Sequence, residues 1–119
     1  MEDCKEVDIV SITTTVGTRA DAEALAQAIL ERRLAACVQV EEGLTSFYRW
    51  QGKDCADVEV RLTIKTLAAC AEALRALFRE KHPYEVPQFL AVGMHASPDY
   101  LAWARGEVRT VAGGEPDPV

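Results

Sequence analysis

An α+β domain in the order β-α-β-β-α-β is the fold class predicted by three features of the chain. From Val58 to Lys65 apolar and polar residues alternate without a break, with Val58, Val60, Leu62 and Ile64 on one face and Glu59, Arg61, Thr63 and Lys65 on the other. That period of two is the mark of a strand with one buried and one polar face. A matching alternation runs from Ala36 to Val40, breaks at Glu42-Gly43, resumes in Thr45 to Trp50 and ends at Gln51-Gly52, so the middle of the chain reads as one long antiparallel hairpin, bulged near Gly43. Apolar residues at helical spacing flank the hairpin on both sides: Ala22, Leu25, Ala26 and Ile29 before it, and Leu67, Cys70, Ala71, Leu74, Leu77 and Phe78 after it.

The elements follow in order. Val7 to Thr14 is rich in β-branched residues and predicts a buried first strand. Thr18 is an N-cap with Asp21 three residues on, and Arg32-Arg33 stand at the C-terminal end of the first helix, where the helix dipole favours cations. After the hairpin, Thr66 is placed to cap a second helix from Leu67 to His82, which Pro83 stops. His82 to Pro87 is a stiff, two-proline loop, and Phe89 to Met94 predicts another buried strand. Ser97-Pro98-Asp99 starts a short helix from Tyr100 to Arg105 that ends at Gly106, and Val108 to Val111 offers a last short strand. Residues 1–112 form one domain on this reading and 113–119 a disordered tail. Val58, Val60, Leu62 and Ile64 would face both helices, leaving the polar face of the sheet for solvent or other subunits. This is the split, ferredoxin-like arrangement.

The hairpin also carries a quaternary expectation. Its strands exceed the usual five or six residues, and its far end bears Phe47, Tyr48 and Trp50 with nothing local to cover them. Long exposed edges and aromatic tips call for another chain, so the hairpin reads as a device for subunit assembly.

Composition narrows the function classes. The chain has 119 residues, 49% hydrophobic and 27% charged, with a formal net charge of −6, which suits a soluble domain and argues against binding nucleic acid through its phosphates. No apolar run reaches the ~20 residues of a membrane span. Four cysteines, Cys4, Cys37, Cys55 and Cys70, lack zinc spacing; the apolar surroundings of Cys37 and Cys70 read as buried thiols in a reducing compartment, and the cytoplasm is the expected location. No Ser-His-Asp set, phosphate loop or H-E-x-x-H stands out, so the chain is not read as an enzyme.

A chain of motifs brings a family into view. Leu34-Ala35-Ala36-Cys37-Val38, then Thr45-Ser46-x-Tyr48-x-Trp50-x-Gly52-Lys53, then Glu59-Val60 with Ile64-Lys65-Thr66, His82-Pro83-Tyr84 with Pro87, and Tyr100-Leu101-x-Trp103 together resemble the CutA divalent-cation tolerance proteins. The likeness runs from about Val7 to Val108, in order and spacing. It implies a ferredoxin-like fold assembled as a homotrimer, a role in tolerance to copper and other divalent metals, and binding rather than catalysis. In the bacterial members linked to copper, a cysteine near the end of strand one and a His-His pair before Pro-Tyr are the proposed ligands. Those positions are Thr14 and Lys81-His82 here, so His82 alone carries over as a metal ligand.

Each candidate has a plainer reading beside the functional one. His82 is a metal ligand, or a helix C-cap bonded to the last carbonyls. Glu59 and Lys65, with Tyr84 and Tyr100, line a cleft between subunits that holds a small charged ligand, or else form a solvated strand face. Tyr48, Trp50 and Trp103 are interface aromatics. Cys37, a possible soft-metal thiolate, reads as a packed residue, and Glu41-Glu42 as an exposed turn. The functional expectation is a trimeric divalent-metal-binding protein; the alternatives are a trimeric sensor of a small metabolite and a scaffold without ligand.

Overall fold

The computed structural model describes residues 7–109. Its elements are β1 (Ile9–Val16), α1 (Arg19–Glu31), β2 (Cys37–Trp50), β3 (Lys53–Thr66), α2 (Ala71–Lys81), β4 (Leu90–Met94) and α3 (Pro98–Glu107). The strands make one antiparallel sheet in the order β2-β3-β1-β4, the expected split arrangement. One face carries Ile12 and Val16 of β1 and Val60, Leu62 and Ile64 of β3. Ala22, Leu25 and Ile29 of α1 and Leu74, Leu77 and Phe78 of α2 close over it. Several of these side chains are fully buried, each contributing roughly 1.5–3 kcal/mol over its exposed state.

Local chemistry explains the boundaries. The Thr18 hydroxyl accepts from the Asp21 N–H at 3.0 Å, the expected N-cap of α1. Ser97 caps α3 with Pro98 in its first turn. The hairpin bulges between Glu41 and Leu44, where Gly43 takes φ +81°. Glu41 and Glu42 are strand residues there, held by Arg61 and Arg19, rather than an open turn. Arg33, in the left-handed region at φ +56°, donates to the carbonyls of Gly106 and Glu107 and so clasps the end of α3 to the end of α1.

Further expectations need correction. Val58 is 68% exposed, not under the helices: β1 ends at the Val16–Val60 pair, and beyond it the hairpin runs on with only itself for company. Strand β4 forms as expected but all five of its residues are exposed. Its large side chains, Leu90, Val92 and Met94, pair with Thr13, Ser11 and Ile9 on the face opposite the helices, while small Ala91 and Gly93 take the helix side. Thr66 caps no helix; its hydroxyl donates to the Leu34 carbonyl at 2.6 Å, and a 3₁₀ turn at Ala68–Cys70 precedes α2. The last helix is longer than expected, passing through Gly106 to Glu107. Val108 and Arg109 are not strand, and the rest of the expected last strand, like the tail, lies outside the described residues.

The hairpin turn supports a direct prediction. Gln51 and Gly52 both have positive φ, +52° and +79°, in a two-residue turn closed by the Trp50–Lys53 pair. Nothing lies within 4 Å of a Cβ built on Gly52, so Gly52→Ala carries only the backbone penalty. Gly52→Ala is expected to destabilise by about 1–2 kcal/mol. Gln51→Asn, which eases the same conformation, is expected to stabilise slightly; chemical denaturation at fixed protein concentration would check both.

Candidate functional site

The loop that leaves α2 crosses to the end of β1, where the hairpin outruns the rest of the sheet. Its first residue, His82, is 9% exposed. The N–H of Tyr84 donates to His82 Nδ1 at 3.1 Å. A backbone N–H only donates, so Nδ1 is the acceptor and the neutral ring carries its proton on Nε2. Nε2 lies 2.9 Å from the Thr14 hydroxyl, which accepts that proton. Phe78 and Tyr84 sit on the ring, with centroids at 5.2 and 5.3 Å. Burial pushes the imidazole pKa down, against smaller upward pulls from the Thr15 backbone and from Asp21. The C-cap contact is made by the His82 backbone N–H, to the Phe78 carbonyl; the ring bonds elsewhere.

Tyr84 carries the loop to the other face of the sheet. Its hydroxyl donates to Glu59 Oε2 at 2.7 Å, and Glu59 is only 8% exposed. Desolvation, and then this bond, raise the Tyr84 phenol above its ordinary value. Two residues along β3, Asp57 accepts from the Tyr48 hydroxyl, which pushes that phenol up to about 12. Between hairpin and loop lies an open cavity of about 680 Å³, walled by Phe47, Tyr48, Trp50 and Tyr84 with Thr15 and Glu59 at its inner side. The volume is that of small-molecule sites.

The expected ligand set is thereby divided. Glu59 and Tyr84 meet in this cavity. Lys65 and Tyr100 line a different hollow of about 320 Å³ with Ile9 and Met94, and Lys65 Nζ donates to Gln39 at 3.1 Å. The six-residue separation along β3 sets the two places roughly 20 Å apart. Tyr48, Trp50 and Trp103 are 43%, 42% and 47% exposed, open to a partner. Thr15, which lines the cavity, and Asp57, bonded to Tyr48, lie outside the set that the sequence marks. Asp57 had a signal, since it lies two residues from Glu59 and so on the same strand face; Thr15 had none.

A resident metal does not fit the His82 position. An ion on Nδ1 would displace the Tyr84 N–H, and one on Nε2 would displace both a proton and the Thr14 bond. Thr14 offers a neutral hydroxyl where soft metals prefer thiolate. No group of three or more His, Cys, Asp or Glu side chains is gathered for a metal among the described residues.

Comparison with known proteins bears on this geometry. A family model described as CutA1 divalent ion tolerance protein matches residues 10–107. A curated relative from Thermus thermophilus, named divalent-cation tolerance protein CutA, is 39% identical over 95 residues, covering 79% of this chain and 92% of its own. The solved structure of CutA from Xylella fastidiosa is similar at TM-score 0.81 and 36% identity, over 85% of this chain and 98% of that one. A structure from Archaeoglobus fulgidus, described as a periplasmic divalent cation tolerance protein CutA, matches at TM-score 0.81 and 28% identity over 85% and 99% of the two chains.

Proposed function

Because the chain belongs to the CutA1 divalent ion tolerance protein family, we propose that it serves divalent-cation tolerance through the Glu59–Tyr84 cleft, as a binding protein rather than an enzyme. The observation that carries this reading is Glu59, a carboxylate 8% exposed, with one oxygen bonded to Tyr84 and the other free of any bond within the described chain. Side-chain oxygens fully sealed from solvent all have partners among the described residues, so that free oxygen keeps some access to solvent, and Glu59 lines the cavity. Divalent ions such as copper then bind weakly, through carboxylate oxygen and retained water.

The working unit of this reading is a homotrimer in the cytoplasm. Supporting assembly are the exposed apolar side chains of β4, the overhanging hairpin with Val58 and Phe47, and Trp103. Supporting a reducing compartment are the free thiols of Cys37, Cys55 and Cys70, and no described helix is long and apolar enough to cross a membrane. Sedimentation should give three times the 13.1 kDa chain mass; a monomer at micromolar concentration would sink the trimer.

Calorimetric titration with zinc, cobalt and copper tests the site. Wild type and His82→Ala should bind alike and weakly, while Glu59→Gln should lose about tenfold in affinity, the worth of one charge-assisted contact. Tight binding of one ion per chain, abolished by His82→Ala, would overturn the proposal in favour of a copper site at His82.

A further inference from the structure

We infer that His82 is a proton-operated latch: a proton taken up at Nδ1 evicts the Tyr84 N–H, frees the loop of residues 83–88 and parts Tyr84 from Glu59, while the sheet and helices stay folded. The bonds involved all lie within one chain, so the latch stands apart from the question of what the cleft holds.

The two ring nitrogens respond differently to a proton. Nδ1 accepts from the Tyr84 N–H at 3.1 Å, and Nε2–H donates to the Thr14 hydroxyl at 2.9 Å. Protonation of a neutral imidazole adds a donor at the nitrogen that was accepting. The Thr14 bond needs no rearrangement and strengthens, because a cationic donor makes the stronger bond. The Tyr84 bond becomes donor against donor. The ring therefore keeps its hold on β1 and lets go of the loop.

Little else inside the chain holds that loop. Residues 83–86 are exposed. Among the described residues, the hydrogen bonds of residues 83–88 run through Tyr84, by its N–H to His82 and by its hydroxyl to Glu59 Oε2 at 2.7 Å. Pro83 and Pro87 fix φ near the two ends. The segment between them has few ways to absorb a shift of the Tyr84 N–H and still leave the hydroxyl on Glu59.

The surroundings set the direction of the switch. From β1 the ring meets the Thr14 hydroxyl and the Thr15 backbone, from α2 Phe78, and from the loop Tyr84. The charged group that acts on it is Asp21 of α1, an exposed carboxylate; its neighbours in sequence, Lys81 and Glu85, are exposed too. Burial disfavours the cation more than these groups favour it. The ring thus takes a proton more readily with the loop open than shut, and acid below the ordinary imidazole value of 6.5 shifts the population toward the open loop. His82 is 9% exposed before any partner is added, and a subunit seated on the loop would leave the Tyr84 N–H facing the same nitrogen.

Amide hydrogen exchange on the assembled wild-type protein, corrected for the intrinsic effect of pH on exchange, tests the latch beside an NMR titration of the His82 ring. Protection of the Tyr84 N–H should fall about tenfold from pH 8 to pH 5, the worth of one hydrogen bond, with the midpoint of the ring titration. The Ile12 amide, in the middle of β1, should keep its protection. His82→Gln, which takes up no proton here, should give a flat Tyr84 profile, and Glu59→Gln should retain the step. A ring still neutral at pH 5, a Tyr84 amide indifferent to the ring's titration, or a step abolished by Glu59→Gln would each overturn the inference. So would a parallel loss at Ile12, which would mean that acid unfolds the whole chain. The wild-type series decides even if neither variant folds.

Discussion

Replacing Phe78 by alanine is expected to cost about 3–5 kcal/mol of folding stability. The ring is 3% exposed and occupies the seam where core and site meet. On one side it lies 5.2 Å from the His82 ring, on the other 5.3 Å and edge-on to Phe89. Such aromatic pairs add roughly 0.5–1.5 kcal/mol beyond buried area. Both neighbours belong to the segment that follows α2, so the lost ring cannot be replaced by a small shift of one helix. Urea denaturation at fixed protein concentration would measure the loss. A change below about 1 kcal/mol would mean that the site collapses around the deletion more freely than a packed core allows. Ligand binding at the cleft should weaken in the same variant, because Phe78 supports His82 and His82 holds Tyr84.

The second large effect is expected at Thr14. Thr14→Val keeps the shape of the side chain but removes the acceptor for His82 Nε2–H, leaving a buried donor unpaired at about 1–3 kcal/mol. The pH dependence follows from the same bonds. The imidazole pKa is lowered by burial in the folded chain, from an ordinary value of 6.5, so at low pH the unfolded chain binds more protons than the folded one. The stability tied to neutral His82 is fully present above about pH 6.5 and falls as the pH drops through the folded value. Protonated Nδ1 would also face the Tyr84 N–H, donor against donor. Melting curves taken from pH 8 down to pH 5 should show this decline in wild type and lose it in His82→Gln. A wild-type profile that matches the variant throughout would show that the ring stays solvated.

Much of the fold was legible because it is written in short-range patterns. Alternation across Val60, Leu62 and Ile64 located β3 and its buried face, and Gly43 and Gly52 marked the bulge and the turn. The exposure of β4 is not legible in the sequence because an apolar run has the same appearance whether helices cover it or leave it exposed. The exposure of Val58 is hidden for a related reason: alternation gives the face of a residue but not where the neighbouring strand stops. The site was legible in pieces. Glu59 and Tyr84 were both selected, yet their contact spans 25 positions and depends on the path of a two-proline loop. Lys65 was grouped with Glu59 by sharing a strand face, but distance along the strand separates them. The tie between His82 and Thr14, 68 positions apart, had no local signal; the likeness marked both positions, as ligands rather than as partners of each other.

The sheet order also has a consequence in time. Among the described strands β1 is the first to leave the ribosome, yet it lies inside the sheet between β3 and β4. The β2–β3 hairpin closes locally through a two-residue turn, a microsecond event for such elements. β1 must wait for β3, and its other edge stays bare until residues 90–94 have emerged. Long-range strand pairing is slow because loop entropy is lost before contacts form. A pulse of hydrogen exchange during refolding should therefore protect hairpin amides first and the β1–β4 amides last. While that second edge is bare, a β-branched strand that is almost wholly buried in the finished fold is open to pairing with the wrong chain.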